Sequence, residues 1–271
     1  MDKKEPVDAL PGQLSALATL PVAAVFLVLL FQVVTRPADA APTDGLLPWL
    51  FVLAAISTLT ALARHLQWQY VLGAAFICAL IGGAAHAFSQ SSGIPFGPFE
   101  FGPAAGLRIF DKLPWILPVI WIVVLFNSRG VGRLILKPWR KTRGYGFWLI
   151  GLTVGVSTLF DLGMDPYLGF LRHYWLWSPT KFPLTWVGAP LINFLGWLVV
   201  TLLILAFATP LLVKKRPGPK RGSDFHPLGL WVGGLALFAV AAGRHGLWDA
   251  VGLDGIAALA ALVAAIRGGC W

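Results

Sequence analysis

"PLINFLGWLVVTLLILAFATPLLV", residues 190–213, decides the fold. It carries no charged residue, with Asn193 near its start and Pro210 near its end. About 20 apolar residues suffice for a helix to cross the hydrocarbon core of a bilayer, and this run is longer. A membrane strand would alternate polar and apolar positions, which this run does not, and among spanning structures helices satisfy every backbone group within one segment.

Working outward, further apolar segments lie near residues 14–35, 46–63, 69–88, 113–127, 147–163, 227–243 and 248–266. With 190–213 they predict an all-α, polytopic membrane bundle of about eight helices, seven or eight, forming one domain over 1–271. The runs at 113–127 and 147–163 sit near the lower limit for a span, the length of a re-entrant or differently tilted segment. Composition agrees: of 271 residues, 57% are hydrophobic and 12% charged, which is the membrane class.

Two basic loops set the expected orientation. "NSRGVGRLILKPWRKTRG" carries Arg129, Arg133, Lys137, Arg140, Lys141 and Arg143, and "KKRPGPKRG" at 214–222 carries five more. Both are expected on the cytoplasmic side, which with eight helices puts both termini there too. Lys3, Lys4, Arg64 and Arg267 then join them. The net charge of +9 is read as this topology signal plus attraction to anionic headgroups, with no nucleic-acid partner. The first segment is too long for a secretory leader, and "RPADAAPTDG" leads at once into more membrane segments, so it is expected to be retained. The expected location is the bacterial inner (cytoplasmic) membrane.

Several chemistries lack their residues. Cys78 and Cys270 form no spaced metal pair or disulfide framework. The histidines His65, His86, His173, His226 and His245 show no HxxxH cluster for a di-iron centre, so no metal is expected. The last two apolar segments hold no lysine for a retinal Schiff base, and no phosphate loop or GxSxG occurs.

What remains falls in two loops assigned to the same outer face. "SGIPFGPFEFGPAAGLRIFDKLPW" holds Glu100, Arg108, Asp111 and Lys112; "DLGMDPYLGFLRHYWLW" holds Asp161, Asp165, Arg172, His173, Trp175 and Trp177, and leads on to "GAPLINFLGW" with Asn193 and Trp197. Ionisable groups at membrane depth are costly and mark internal cavities or functional sites. Bland readings compete. Asp161 and Asp165 could cap a helix or pair with Arg172, and Trp175, Trp177 and Trp186 could form an interfacial belt. Four apart, Asp161 and Asp165 share one helix face, a spacing that would also suit a magnesium diphosphate site of an intramembrane prenyltransferase.

The ordered set Gly93-x-Pro95-Phe96-Gly97, "LPWILPVIW", Asp161 with Asp165-Pro166, Trp175-x-Trp177, and Gly188-x-Pro190 with Asn193-Phe194-x-Gly196-Trp197 resembles the membrane carotenoid-biosynthesis family that includes carotenoid 1,2-hydratases and bisanhydrobacterioruberin hydratase. The resemblance covers roughly residues 92–197. It implies a lipophilic polyene substrate within membrane lipid and cofactor-independent, acid-catalysed addition of water to the terminal 1,2 double bond of an acyclic end group. That chemistry needs a proton donor, a site that tolerates a tertiary cation, and one positioned water. Asp161 or Asp165 is expected as the acid, with Glu100 the third candidate. Phe96, Phe99, Phe101, Trp175, Trp177 and Trp197 would wall the substrate, since aromatic faces attract cations, and Asn193 or His173 would orient the water. Where the family pattern places tyrosines around a polar residue, this chain has Phe99, Glu100 and Phe101. Glu100 is accordingly expected to line the end-group pocket or to pair with Arg108. A carotenoid-binding subunit without chemistry is the other reading that the same groove allows.

Overall fold

The computed structural model describes residues 10–36, 44–180, 184–213 and 222–271. Of the basic residues in the orientation argument, Lys3, Lys4, Lys214, Lys215, Arg216, Lys220 and Arg221 lie outside the described residues.

Among the described residues there are eight α-helices: α1 (Leu10–Thr35), α2 (Leu47–Ala63), α3 (Trp68–Ser92), α4 (Leu117–Ile135), α5 (Tyr145–Asp165), α6 (Leu191–Leu212), α7 (His226–Arg244) and α8 (Trp248–Gly269). Seven are long and apolar enough to cross a bilayer, and the eighth, α2, has 17 residues. The two segments expected to be short are not. α4 runs to 19 residues, and α5 continues through a π-helical turn, Pro166–Leu171, for 27 residues in all. Hydropathy ends α4 early because Asn127, Ser128 and Arg129 follow Phe126, yet all three are buried within the helix. Asn127 Nδ2 donates to the Val123 carbonyl at 2.7 Å and to Thr58 Oγ1 on α2 at 2.9 Å, so its polarity is satisfied inside the bundle.

Local chemistry sets the helix ends. Pro48, Pro118 and Pro227 each fall in the first turn of their helix, where the missing N–H costs no hydrogen bond. α3 ends at Gly93 in the left-handed region (φ 72°), whose N–H reaches the Ser89 carbonyl at 2.7 Å.

α4 is the axis of the packing: it touches α2, α3, α5, α7 and α8. Of its apolar window 67% is buried, against 11% for α1, which leans on α2 and α7 at the edge. Three short antiparallel ladders occur in the loops: β1 (Phe99–Phe101) with β4 (Trp175–Trp177), β2 (Arg108–Ile109) with β3 (Leu113–Pro114), and β5 (Thr185–Trp186) with β6 (Ala189–Pro190). The β1–β4 ladder ties the α3–α4 loop to the α5–α6 loop, the two stretches that the sequence assigns to one face.

Candidate functional site: a buried acid pair under an aromatic wall

Asp161 and Asp165 lie one turn apart at the end of α5 and project together. Both are buried, at 1% and 2% exposure, as is Asn193 in the first turn of α6. The Asn193 amide bridges the acids, Nδ2 donating to Asp161 Oδ2 at 3.0 Å and to Asp165 Oδ2 at 3.3 Å. Asp165 Oδ1 accepts the Trp175 indole N–H at 2.6 Å and, at a longer 3.4 Å, that of Trp177. Among the described residues Asp161 Oδ1 accepts none.

Proline and glycine shape this corner. Pro166 has no N–H to return to the Leu162 carbonyl, one turn earlier in α5, and the Trp186 indole donates there at 2.8 Å instead. Trp186 thus satisfies the last turn of α5 beside the acids. Beyond Pro166 the chain widens into the π turn, a feature frequent at functional sites. Gly169 sits in that turn, where a Cβ would stand 2.6 Å from Asp165 Oδ1 and 2.7 Å from Trp175 Nε1. A side chain there would wedge apart the shortest bond of the network.

The β1–β4 register supplies the wall. Phe99 pairs with Trp177 and Phe101 with Trp175, so period-two alternation turns all four rings inward and turns Glu100 and Leu176 outward. The rings run on from the acids: Trp177 to Phe99 (5.3 Å between centroids), Phe99 to His86 (6.1 Å), His86 stacked on Phe96 (4.2 Å) and tilted toward Trp121 (6.0 Å), and Trp121 stacked on Trp197 (3.9 Å). Gly196 permits this closeness, because a Cβ there would come within 2.6 Å of the Phe96 ring and 2.8 Å of the Pro95 carbonyl.

Of the residues expected from sequence, the structure gathers Asp161, Asp165, Asn193, Trp175 and Trp177 in one network and sets Phe96, Phe99, Phe101 and Trp197 along the adjoining wall. Two stay out. Glu100 is exposed on the outer side of β1, and it forms no ion pair with Arg108, whose guanidinium donates to the Phe101 carbonyl at 2.7 Å. His173 is exposed at a left-handed corner (φ 52°), so Asn193 alone of the two expected water-orienting residues reaches the acids. Arg172 lies over the Tyr167 ring, its guanidinium carbon 5.7 Å from the centroid.

Two buried ionisable residues were not singled out in the sequence. His86, in the apolar run of α3, is part of the wall, with both ring nitrogens unpartnered among the described residues. Asp254 of α8 packs against Gly163, which lies between the two acids in sequence and so on the far side of α5. A lone histidine or aspartate inside an apolar segment was the available signal for each.

Fold and site together define an integral, polytopic helical membrane protein with a buried carboxyl pair beneath aromatic rings. The chain belongs to the carotenoid biosynthesis protein family, whose family model matches residues 46–262, from just before α2 into α8. No curated protein and no solved structure matches it. The role it takes is in carotenoid biosynthesis.

Proposed function

We propose that the protein is a carotenoid hydratase of the cytoplasmic membrane, adding water across the terminal 1,2 double bond of an acyclic carotenoid end group, with residues 1–271 acting as one membrane domain. The observation that carries this reading is the Asn193-bridged pair of Asp161 and Asp165, buried beside a run of aromatic rings.

In this scheme the donors divide the roles. Two indole N–H groups point at Asp165 Oδ1, which acts as acceptor, while Asp161 has an oxygen without a donor and carries the proton. Asp161 protonates the less substituted alkene carbon, the C=C π pair forms the new C–H bond, and a tertiary cation remains beside the rings of Phe99 and Trp177. A water attacks that cation, forming the C–O bond, and its surplus proton returns to the carboxyl pair. Alkene and water are consumed, one tertiary alcohol forms, and the acid is regenerated without a cofactor. Asn193 holds the two carboxyls in register throughout.

Magnesium diphosphate chelation by the same pair is disfavoured by the same geometry. N–H donors occupy the space around Asp165 that a cation would need.

The test is expression in a host that accumulates lycopene and related acyclic carotenoids, with extracted pigments weighed by mass spectrometry. A product heavier by one water, absent with Asp161→Asn in a folded protein, is the expected result. Unmodified pigment copurifying with the folded parent chain would replace the hydratase by a carotenoid-binding subunit.

A further inference from the structure

At the other end of the bundle, where α5 begins and α4 and α6 end, the helices part around a cavity of about 720 Å³. That size falls within the range of small-molecule sites, roughly 300–1,000 Å³. Its lining is two-sided. Phe126, Leu149 and Leu205 give an apolar flank toward the middle of the bundle, and Arg129, Arg133, Lys137 and Arg140 give a basic one at the end.

The basic side follows from spacing: Arg129, Arg133 and Lys137 recur every four residues along α4 and just past it, which stacks them on one face. Arg129 is 7% exposed, and its guanidinium donates to the Leu212 carbonyl at 3.2 Å. Lys137 Nζ donates to Ser223 Oγ and the Gly269 carbonyl, each at 2.7 Å. These acceptors are neutral, and among the described residues none of the four cations forms an ion pair. A buried cation without an anion is costly.

The one acidic side chain in the lining, Asp224, is already engaged. It meets His65 Nε2 at 3.4 Å, the His226 N–H at 3.1 Å and Arg64 at 3.9 Å. Burial works to raise its pKa, but these donors and charges outweigh it and hold the carboxyl below its ordinary value. Two further polar atoms of the lining residues, Thr209 Oγ1 and His226 Nδ1, are buried without a hydrogen bond among the described residues.

We propose that this cavity binds a phosphate-headed amphiphile, its phosphate held by Arg129, Arg133 and Arg140 and its hydrocarbon chain laid along Phe126, Leu149 and Leu205. The positive-inside rule explains basic residues at a membrane surface; it does not call for an arginine buried in the wall of a half-apolar cavity. A phosphate supplies the missing anion and accepts from guanidinium forks. An acyl chain suits the flank that a free phosphate would leave empty.

The test is native mass spectrometry and thermal unfolding of the full chain in neutral detergent. It is titrated with phosphatidylglycerol, with phosphatidylcholine, whose phosphate is masked by a cationic head, and with inorganic diphosphate. Saturable retention of one phosphatidylglycerol per chain with a rise in Tm is the expected result. Inorganic diphosphate should compete weakly, and phosphatidylcholine should give little shift. The double variant Arg133→Gln/Arg140→Gln, both exposed positions, should lose about tenfold or more in affinity. Lys141→Gln/Arg143→Gln removes the same charge outside the cavity and should bind as the parent does; Arg133→Lys/Arg140→Lys, keeping charge but not the fork, should fall between. Diphosphate binding as tightly as the lipid would make the ligand a soluble phosphate and overturn the amphiphile. Equal loss in both glutamine pairs, or none in the cavity pair, would overturn the site itself.

Discussion

Where α5 ends, Asp161, Asp165, Asn193 and Trp175 bond to one another; where α5 begins, Arg129, Arg133 and Arg140 meet no acid among the described residues. Both ends bury polarity, and the difference lies in where the complement sits. The acid pair sits on α5 and draws its donors from two other elements, β4 and α6, before any ligand arrives. Such a site can receive a hydrocarbon, which brings no charge of its own. The basic cavity has backbone and hydroxyl partners, yet its charge is unbalanced among the described residues, and what is lacking is an anion. Polar groups satisfied from within suit an apolar substrate, and groups left in excess specify a ligand of opposite sign.

The largest expected effect tests whether the two ends are independent. Asp161→Asn keeps the shape and removes the proton, so hydration in the pigment assay should fall by about 10²–10⁴-fold, the scale of a general acid. Phosphatidylglycerol binding should not change. A parallel loss of lipid binding would break the separation of the two regions.

Next in size is Trp175→Phe, which keeps a ring in the wall and deletes the 2.6 Å bond to Asp165. A hydrogen bond to a charged group is worth about 1.5–3 kcal/mol, so activity should drop roughly tenfold or more and Tm should fall. Unchanged activity would mean that Asn193 and Trp177 suffice to set the pair. Gly169→Ala presses on the same bond from the other side, and overpacking of this kind costs about 1–3 kcal/mol. Thermal unfolding should report it, and a shift as large as that of Trp175→Phe would identify the indole contact as what the glycine protects.

Much of the fold was legible because hydropathy is local: the eight apolar runs correspond to α1–α8, and the four-residue spacing already put Asp161 and Asp165 on one face. The errors are of one kind. The apolar run of α4 stops at 127 because polar residues begin there, and only long-range packing shows Asn127 reaching Thr58 across the bundle. "FEF" and "WLW" each carry a period-two signal, but their pairing joins residues far apart in the chain, and that pairing decides that Glu100 faces out while Phe99 and Phe101 face in. His86 stood alone in sequence because its neighbours are rings from other elements. Arg129 and Arg140 counted equally in the charge argument, though one is buried and the other exposed.

The smallest prediction concerns Asp224, the residue that keeps the basic cavity from being wholly cationic. Its carboxyl is held below the ordinary value, so its contribution to stability is present at neutral pH and lost as pH falls through that lowered value. Asp224→Asn should therefore lower Tm slightly at neutral pH, by an amount equivalent to about 1 kcal/mol, and the difference from the parent should vanish in strong acid. The substitution also removes the one acidic side chain from the lining. Phosphatidylglycerol should then bind somewhat more tightly, while inorganic diphosphate, with no chain to place, should gain in the same proportion and still bind weakly. Weaker lipid binding in Asp224→Asn would mean that the carboxylate orders His65 and Arg64 for the ligand, and the cavity would then resemble the acid pair in depending on partners that the chain itself supplies.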